Sequence, residues 1–84
     1  MAELDDRFEA AVAASKMLTT TPDQDAMLQM YALFKQANEG DVDGKRPGFT
    51  NPVGRAKYDA RQKIAGMAAD QAKQDYISLV DSLK

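Results

Sequence analysis

The sequence contains no cysteine, no histidine and no tryptophan. Without cysteine there is no disulfide framework, no thiolate metal ligand and no thiol nucleophile. Without histidine the commonest general base at neutral pH and the commonest metal ligand are both missing. An excess of one charge is also lacking. Eleven basic and 13 acidic side chains leave a net −2 over 84 residues, which argues against an overall nucleic-acid or membrane-surface binder. Strictly apolar runs are only a few residues long, too short for a bilayer span. Residues 1–9 carry Glu3, Asp5, Asp6 and Glu9 where a secretory leader would be basic and then apolar. The expectation is a cytoplasmic protein with no stable membrane insertion. One domain over residues 1–84 is the natural organisation, and at this size folding buries only roughly 60–65% of the unfolded surface. Together these absences argue against catalytic residues, metal ligands or a cofactor and favour a non-covalent binding module.

What is present is helical. Alanine is abundant and β-branched residues are scattered. Leu4, Phe8, Ala11, Val12 and Ser15 recur on one helical face, which predicts a helix from about Glu3 to Leu18. Thr21-Pro22-Asp23-Gln24 reads as a capping box with Thr21 at the N-cap and Pro22 at N1. The helix it opens shows Met27, Leu28, Met30, Tyr31, Phe34 and Ala37 as its apolar face and stops at Gly40. No periodicity runs from Glu39 to Asn51, a long connection to which Phe49 offers a core anchor. Asn51-Pro52 starts a third helix over 52–65 that ends at Gly66. A fourth runs from Ala68 to Lys84 with Ala69, Ala72, Tyr76, Val80 and Leu83 on one face, and its start lacks a capping side chain. The expected fold is all-α, a compact bundle of four helices.

Charge is spread unevenly along this chain. Residues 1–30 carry two basic and six acidic side chains, whereas residues 45–63 carry Lys45, Arg46, Arg55, Lys57, Arg61 and Lys63 against Asp59 alone, net +5. A basic helix beside acidic ones can serve solubility alone. It can equally form an anion site, where cations next to an aromatic suit a phosphate-bearing ligand with a planar ring. Tyr31 and Lys35, four residues apart, share a face and offer such a pairing, although each is also an ordinary core aromatic and an ordinary solvated lysine. Met27, Met30 and Met67 read as gap-filling core. Asp41 and Asp43 lack the spacing of a calcium loop, and Ser15, Ser78 and Ser82 have no histidine to activate them.

Three stretches resemble the acyl-CoA-binding protein family: Pro22 to Gly40, the loop Gly40-Asp41-Val42 with Lys45-Arg46-Pro47-Gly48-Phe49, and Gly54-Arg55-Ala56-Lys57-Tyr58-Asp59-Ala60. Ala72 to Ile77 with Val80 continue the match into the last helix. The resemblance implies an up-down-down-up four-helix bundle that binds medium- to long-chain fatty acyl-CoA thioesters without turning them over, as a carrier and pool former. It implies a coenzyme A head-group site of Lys16, Tyr31, Lys35, Lys57 and Tyr76, with Lys35 and Lys57 on the ribose 3′-phosphate. It further implies that Ala32, Leu33 and Phe34 lie along the ligand and that Phe8, Met27 and Leu28 line a groove for the acyl chain. The implied partners are long-chain acyl-CoA and, transiently, the enzymes that use it; the implied state is a monomer that binds no nucleic acid. Tyr58 stands where the family usually has Trp, Arg61 where a second aromatic is frequent, and Val53 where a basic residue is common. These departures favour an alternative, a non-enzymatic helical interaction module with reduced or lost acyl-CoA binding.

Overall fold

The computed structural model describes residues 2–84. It comprises four α-helices in chain order: α1 (Ala2–Ser15), α2 (Gln24–Glu39), α3 (Pro52–Lys63) and α4 (Ala69–Leu83). No strand occurs among the described residues. Helix α4 packs on α1 and α2, and α2 packs in turn on α3. Principal extents of 38 × 30 × 14 Å describe a slab. Its thin dimension is about that of two helix layers at the usual 8–10 Å interaxial spacing.

The core is built where α1, α2 and α4 meet. Leu4, Phe8 and Ala11 from α1, Leu33 from α2, and Ala72, Tyr76, Ile77 and Val80 from α4 form one buried cluster. Phe8 meets Tyr76 edge-to-face at 5.2 Å between ring centroids and stacks on Phe34 at 6.0 Å, geometries that aromatic quadrupoles favour. Helix α3 contributes no buried residue and flanks this core through α2 alone. No described helix is long and apolar enough to cross a membrane.

Several local expectations are corrected. Helix α1 ends at Ser15, and residues 16–17 form a turn in which Lys16 and Met17 donate to Ala13 and Ala14. The N-cap of α2 is Asp23, not Thr21: the Ala26 N–H donates to Asp23 Oδ1 at 2.8 Å. Both residues offer an oxygen acceptor, and the ionised carboxylate makes the stronger bond to an N–H. The stripe that α2 buries is Ala26, Ala32, Leu33 and Gln36, while Met27 is 53% exposed and Phe34 36%. Met30 and Met67 do pack against the core. Phe49 anchors nothing, being 82% exposed.

Other signals are met as written. Gly40 closes α2 at φ 81°, a left-handed conformation that glycine adopts without steric cost, and its N–H donates to the Gln36 carbonyl. Asn51 caps α3 through the Gly54 N–H at 3.1 Å. A Cβ at Gly54 would come 2.5 Å from the Asn51 side-chain amide, so a larger residue there must displace the cap. Helix α3 ends at Lys63, two residues before the expected limit, in a turn running to Gly66. Helix α4 begins after Ala68 with no side-chain cap.

The Asp23 assignment has a direct consequence. Asp23→Ala should lower stability by about 1 kcal/mol, whereas Thr21→Ala should change it little. Urea unfolding of the two variants checks this.

Candidate functional site

The cation–aromatic pairing expected from spacing is present and draws on two helices. Lys57, one turn into α3, places Nζ 5.1 Å from the centroid of the Tyr31 ring on α2. Lys35, one turn beyond Tyr31, places Nζ 6.0 Å from the same centroid. Both distances fall in the range over which an ammonium is attracted to an aromatic face. Tyr31 is half-buried and Lys57 exposed, so the cluster is open to solvent. Lys35 is not free: Nζ donates to Glu39 Oε2 at 2.9 Å. That bond raises the Lys35 pKa and lowers that of Glu39, and the Arg61 charge acts on both.

The remaining expected residues fall into separate places. Tyr76 is 4% exposed, and its hydroxyl is 3.2 Å from Ser15 Oγ, which itself donates to the Val12 carbonyl at 2.6 Å. Tyr76 therefore fixes the last turn of α1, immediately before Lys16. Lys16 is exposed. Phe8 and Phe34 line a cavity of about 390 Å³ with Val12, Asn38 and the Asp5–Lys73 ion pair. Leu28, Ala32 and Leu33 line a larger cavity of about 790 Å³ between α2, α3 and α4. Ala56, Ala60, Ile64, Met67 and Leu79 complete its apolar wall. Met27 lines neither cavity. The larger cavity and the Tyr31 cluster thus share helices α2 and α3 at the same level but use different residues of each: Tyr31, Lys35 and Lys57 are not in the cavity lining.

Asp25, Asp59 and Asp75 place carboxylates on the larger cavity, with Lys63 as its cation. Residues beyond the first expectation, notably Ile64 and Leu79, enter this lining because the turn after α3 and the α4 crossing bring them there. No group of His, Cys, Asp and Glu among the described residues is arranged to hold a metal ion.

Polar contacts tie α3 to the long loop. Arg46 grips Asp59 bidentately, Nε to Oδ1 at 2.7 Å and Nη2 to Oδ2 at 2.8 Å, the geometry that suits a planar guanidinium. The Tyr58 hydroxyl donates to the Gly44 carbonyl at 3.3 Å, and Arg61 Nη2 to the Gly40 carbonyl at 3.0 Å. Gln36, buried at the end of α2, donates to Asp41 Oδ1 at 2.8 Å and to the Met67 carbonyl at 2.9 Å. The same Asp41 oxygen accepts the Gly66 N–H at 2.7 Å. One carboxylate thereby joins the end of α2, the start of the loop and the turn leading into α4. Hydrogen bonds from Gln36 and Gly66 hold the Asp41 pKa below its ordinary value.

The acyl-CoA-binding protein model matches residues 5–80. An acyl-CoA-binding protein homolog of Drosophila melanogaster is 44% identical over 78 residues, covering 93% of this chain and 91% of the relative. The acyl-CoA-binding protein of Saccharomyces cerevisiae is 41% identical over 76 residues, covering 90% of this chain and 87% of that protein. The crystal structure of Oryza sativa acyl-CoA-binding protein 2 superimposes with a TM-score of 0.92 at 35% identity, over 98% of this chain and 89% of that one. The chain belongs to the acyl-CoA-binding protein family.

The loop clasp makes stability depend on pH. The carboxylates of Asp41 and Asp59 are both held below their ordinary pKa by hydrogen-bonded partners, Gln36 and Gly66 for the first and Arg46 for the second. Their stabilisation is therefore complete above the unfolded pKa of about 4 and is lost as pH falls through the lower folded values. Thermal melts should show Tm falling below about pH 4. Asp41→Asn should melt lower at pH 7 and lose part of that acid dependence.

Proposed function

We propose that this chain is a carrier and pool former that binds medium- to long-chain fatty acyl-CoA thioesters without covalent chemistry. The single observation that carries the reading is the convergence of Lys57 from α3 and Lys35 from α2 on the Tyr31 ring. Two ammonium groups from separate helices suit a phosphate, and the ring beside them suits a purine. In this reading Lys35 and Lys57 take the ribose 3′-phosphate, Tyr31 takes the adenine, and Lys16 assists. Tyr76 acts by fixing the end of α1 on which Lys16 follows. Each charge-assisted bond contributes roughly 1.5–3 kcal/mol.

The acyl chain needs an apolar channel reached from the same seam. Leu28, Ala32 and Leu33 supply one wall of the larger cavity and Ala56, Ala60 and Ile64 another. Phe8 and Phe34 supply the smaller cavity on the α1 side, with exposed Met27 on the same helix as Phe34. Burial yields ~0.8 kcal/mol per CH₂, so affinity grows with chain length.

The same chemistry argues for holding the thioester rather than cleaving it. With no cysteine or histidine in the chain, the hydroxyls of Ser15 and Tyr76 are engaged with each other and with a backbone carbonyl. The reading places the protein in the cytoplasm as a one-domain monomer over residues 1–84 that hands its ligand to acyl-CoA-using enzymes. Tyr58 and Arg61, whose departures from the family pattern favoured an interaction module, are both occupied in holding the loop. Their contacts give the loss of binding no structural support.

Isothermal titration should show palmitoyl-CoA bound far more tightly than free palmitate. Affinity no better than about millimolar, or equal affinity for the free acid, would overturn the reading. Lys35→Ala and Lys57→Ala should each weaken binding at least about tenfold with little change in Tm. Saturating palmitoyl-CoA should raise the Tm of the wild type, because a ligand that binds only the folded state stabilises it.

A further inference from the structure

Glu39 stands in an unfavourable place for the helix that carries it. It is the last residue of α2, where the exposed carbonyls and the helix dipole disfavour an anion. Its partner Lys35 lies one turn toward the N-terminus, the reverse of the order that makes such a pair most stabilising. The pair is solvent-accessible, with side-chain exposures of 33% for Lys35 and 54% for Glu39, and so contributes little to stability. Helix stability therefore does not account for a carboxylate here. Its position relative to the cation cluster does. Glu39 Oε2 lies 2.9 Å from the Nζ that also faces the Tyr31 ring.

We propose that Glu39 is an internal competitor for Lys35, a carboxylate that occupies the phosphate-binding ammonium in the free protein and so sets how strongly the 3′-phosphate of an acyl-CoA is recognised. This rests on the acyl-CoA reading above. A phosphate arriving at Lys35 must either displace the carboxylate or lie beside it. The first costs the ion pair, and the second sets two anions together. Lys57 has no such partner among the described ion pairs, so no carboxylate must be displaced from it. Arg61 faces both Lys35 and Glu39, but its guanidinium is tied to the Gly40 carbonyl, so it biases the pair electrostatically. Glu39 is thus a specificity-determining residue. It lowers the preference for a ligand bearing the terminal phosphate over the same ligand without it, and it leaves contacts to the rest of the molecule unchanged.

The test is titration calorimetry of wild type and Glu39→Gln with two ligands, palmitoyl-CoA and palmitoyl-3′-dephospho-CoA, at low ionic strength. Glu39→Gln should bind palmitoyl-CoA about 1.5- to twofold more tightly than wild type, the scale of one such ion pair, and the dephospho ester unchanged. Glu39→Lys should widen the gap between the two ligands further. Equal gains on both ligands, or no gain on palmitoyl-CoA, would overturn the competitor role while leaving the acyl-CoA reading intact. Failure of the wild type to bind either ester would overturn that reading and this inference with it.

Discussion

Helix α3 buries none of its side chains, yet it carries Lys57, one of the two cations over Tyr31. With apolar side chains that are only half-buried, such as Ala56 and Ala60, it has little hydrophobic anchoring, since most helical stability in proteins comes from packing an apolar face. What holds α3 is a polar clasp: Arg46 on Asp59, Tyr58 on Gly44 and Arg61 on Gly40. Behind it, Asp41 joins Gln36 to the turn at Gly66. The position of Lys57 relative to Tyr31, and with it the proposed anion site, depends on these contacts.

This division of labour has a physical logic. The α1–α2–α4 core supplies rigidity through packed aromatics, Phe8 against Tyr76 and Phe34. The α2–α3 seam is left apolar but unfilled, with a cavity of about 790 Å³. A small chain has little apolar surface to spare, so leaving this seam open costs stability that a lipid chain can return on binding. Helix α3, held at its ends and on its loop side by directional bonds, keeps the seam open.

Much of this was legible in the residues, and the exceptions have identifiable causes. Asn51-Pro52 and Gly40 are local signals whose partners lie within four residues, and both act as read. Thr21 and Asp23 offered two N-cap acceptors two residues apart, and the choice between an alcohol and a carboxylate is energetic, not a matter of pattern. Helix α2 is apolar on two faces, one buried through Ala26 and Leu33 and the other bearing Met27, Tyr31 and Phe34. Hydrophobic spacing alone merges the two. Burial of Gln36 was invisible because one of its partners, the Met67 carbonyl, lies 31 residues away. Phe49 is the one aromatic in the long connection and offers itself as an anchor, but it stays exposed. The Tyr31–Lys35 pairing followed from spacing. Lys57 is visible in the sequence as part of a basic helix, but its pairing with Lys35 comes only with the family resemblance, because the two lie on different helices.

An acyl-CoA bound as proposed seats its 3′-phosphate between Lys35 and Lys57 beside Tyr31. Mapping of amide and lysine Nζ resonances during titration with an acyl-CoA locates the ligand directly. The account predicts that the largest changes fall on Tyr31, Lys35 and Lys57, with further changes at Leu28 and Ala56 where the acyl chain enters the seam. Changes confined to surfaces away from α2 and α3, with the resonances of Lys35 and Lys57 unmoved at saturation, would contradict it.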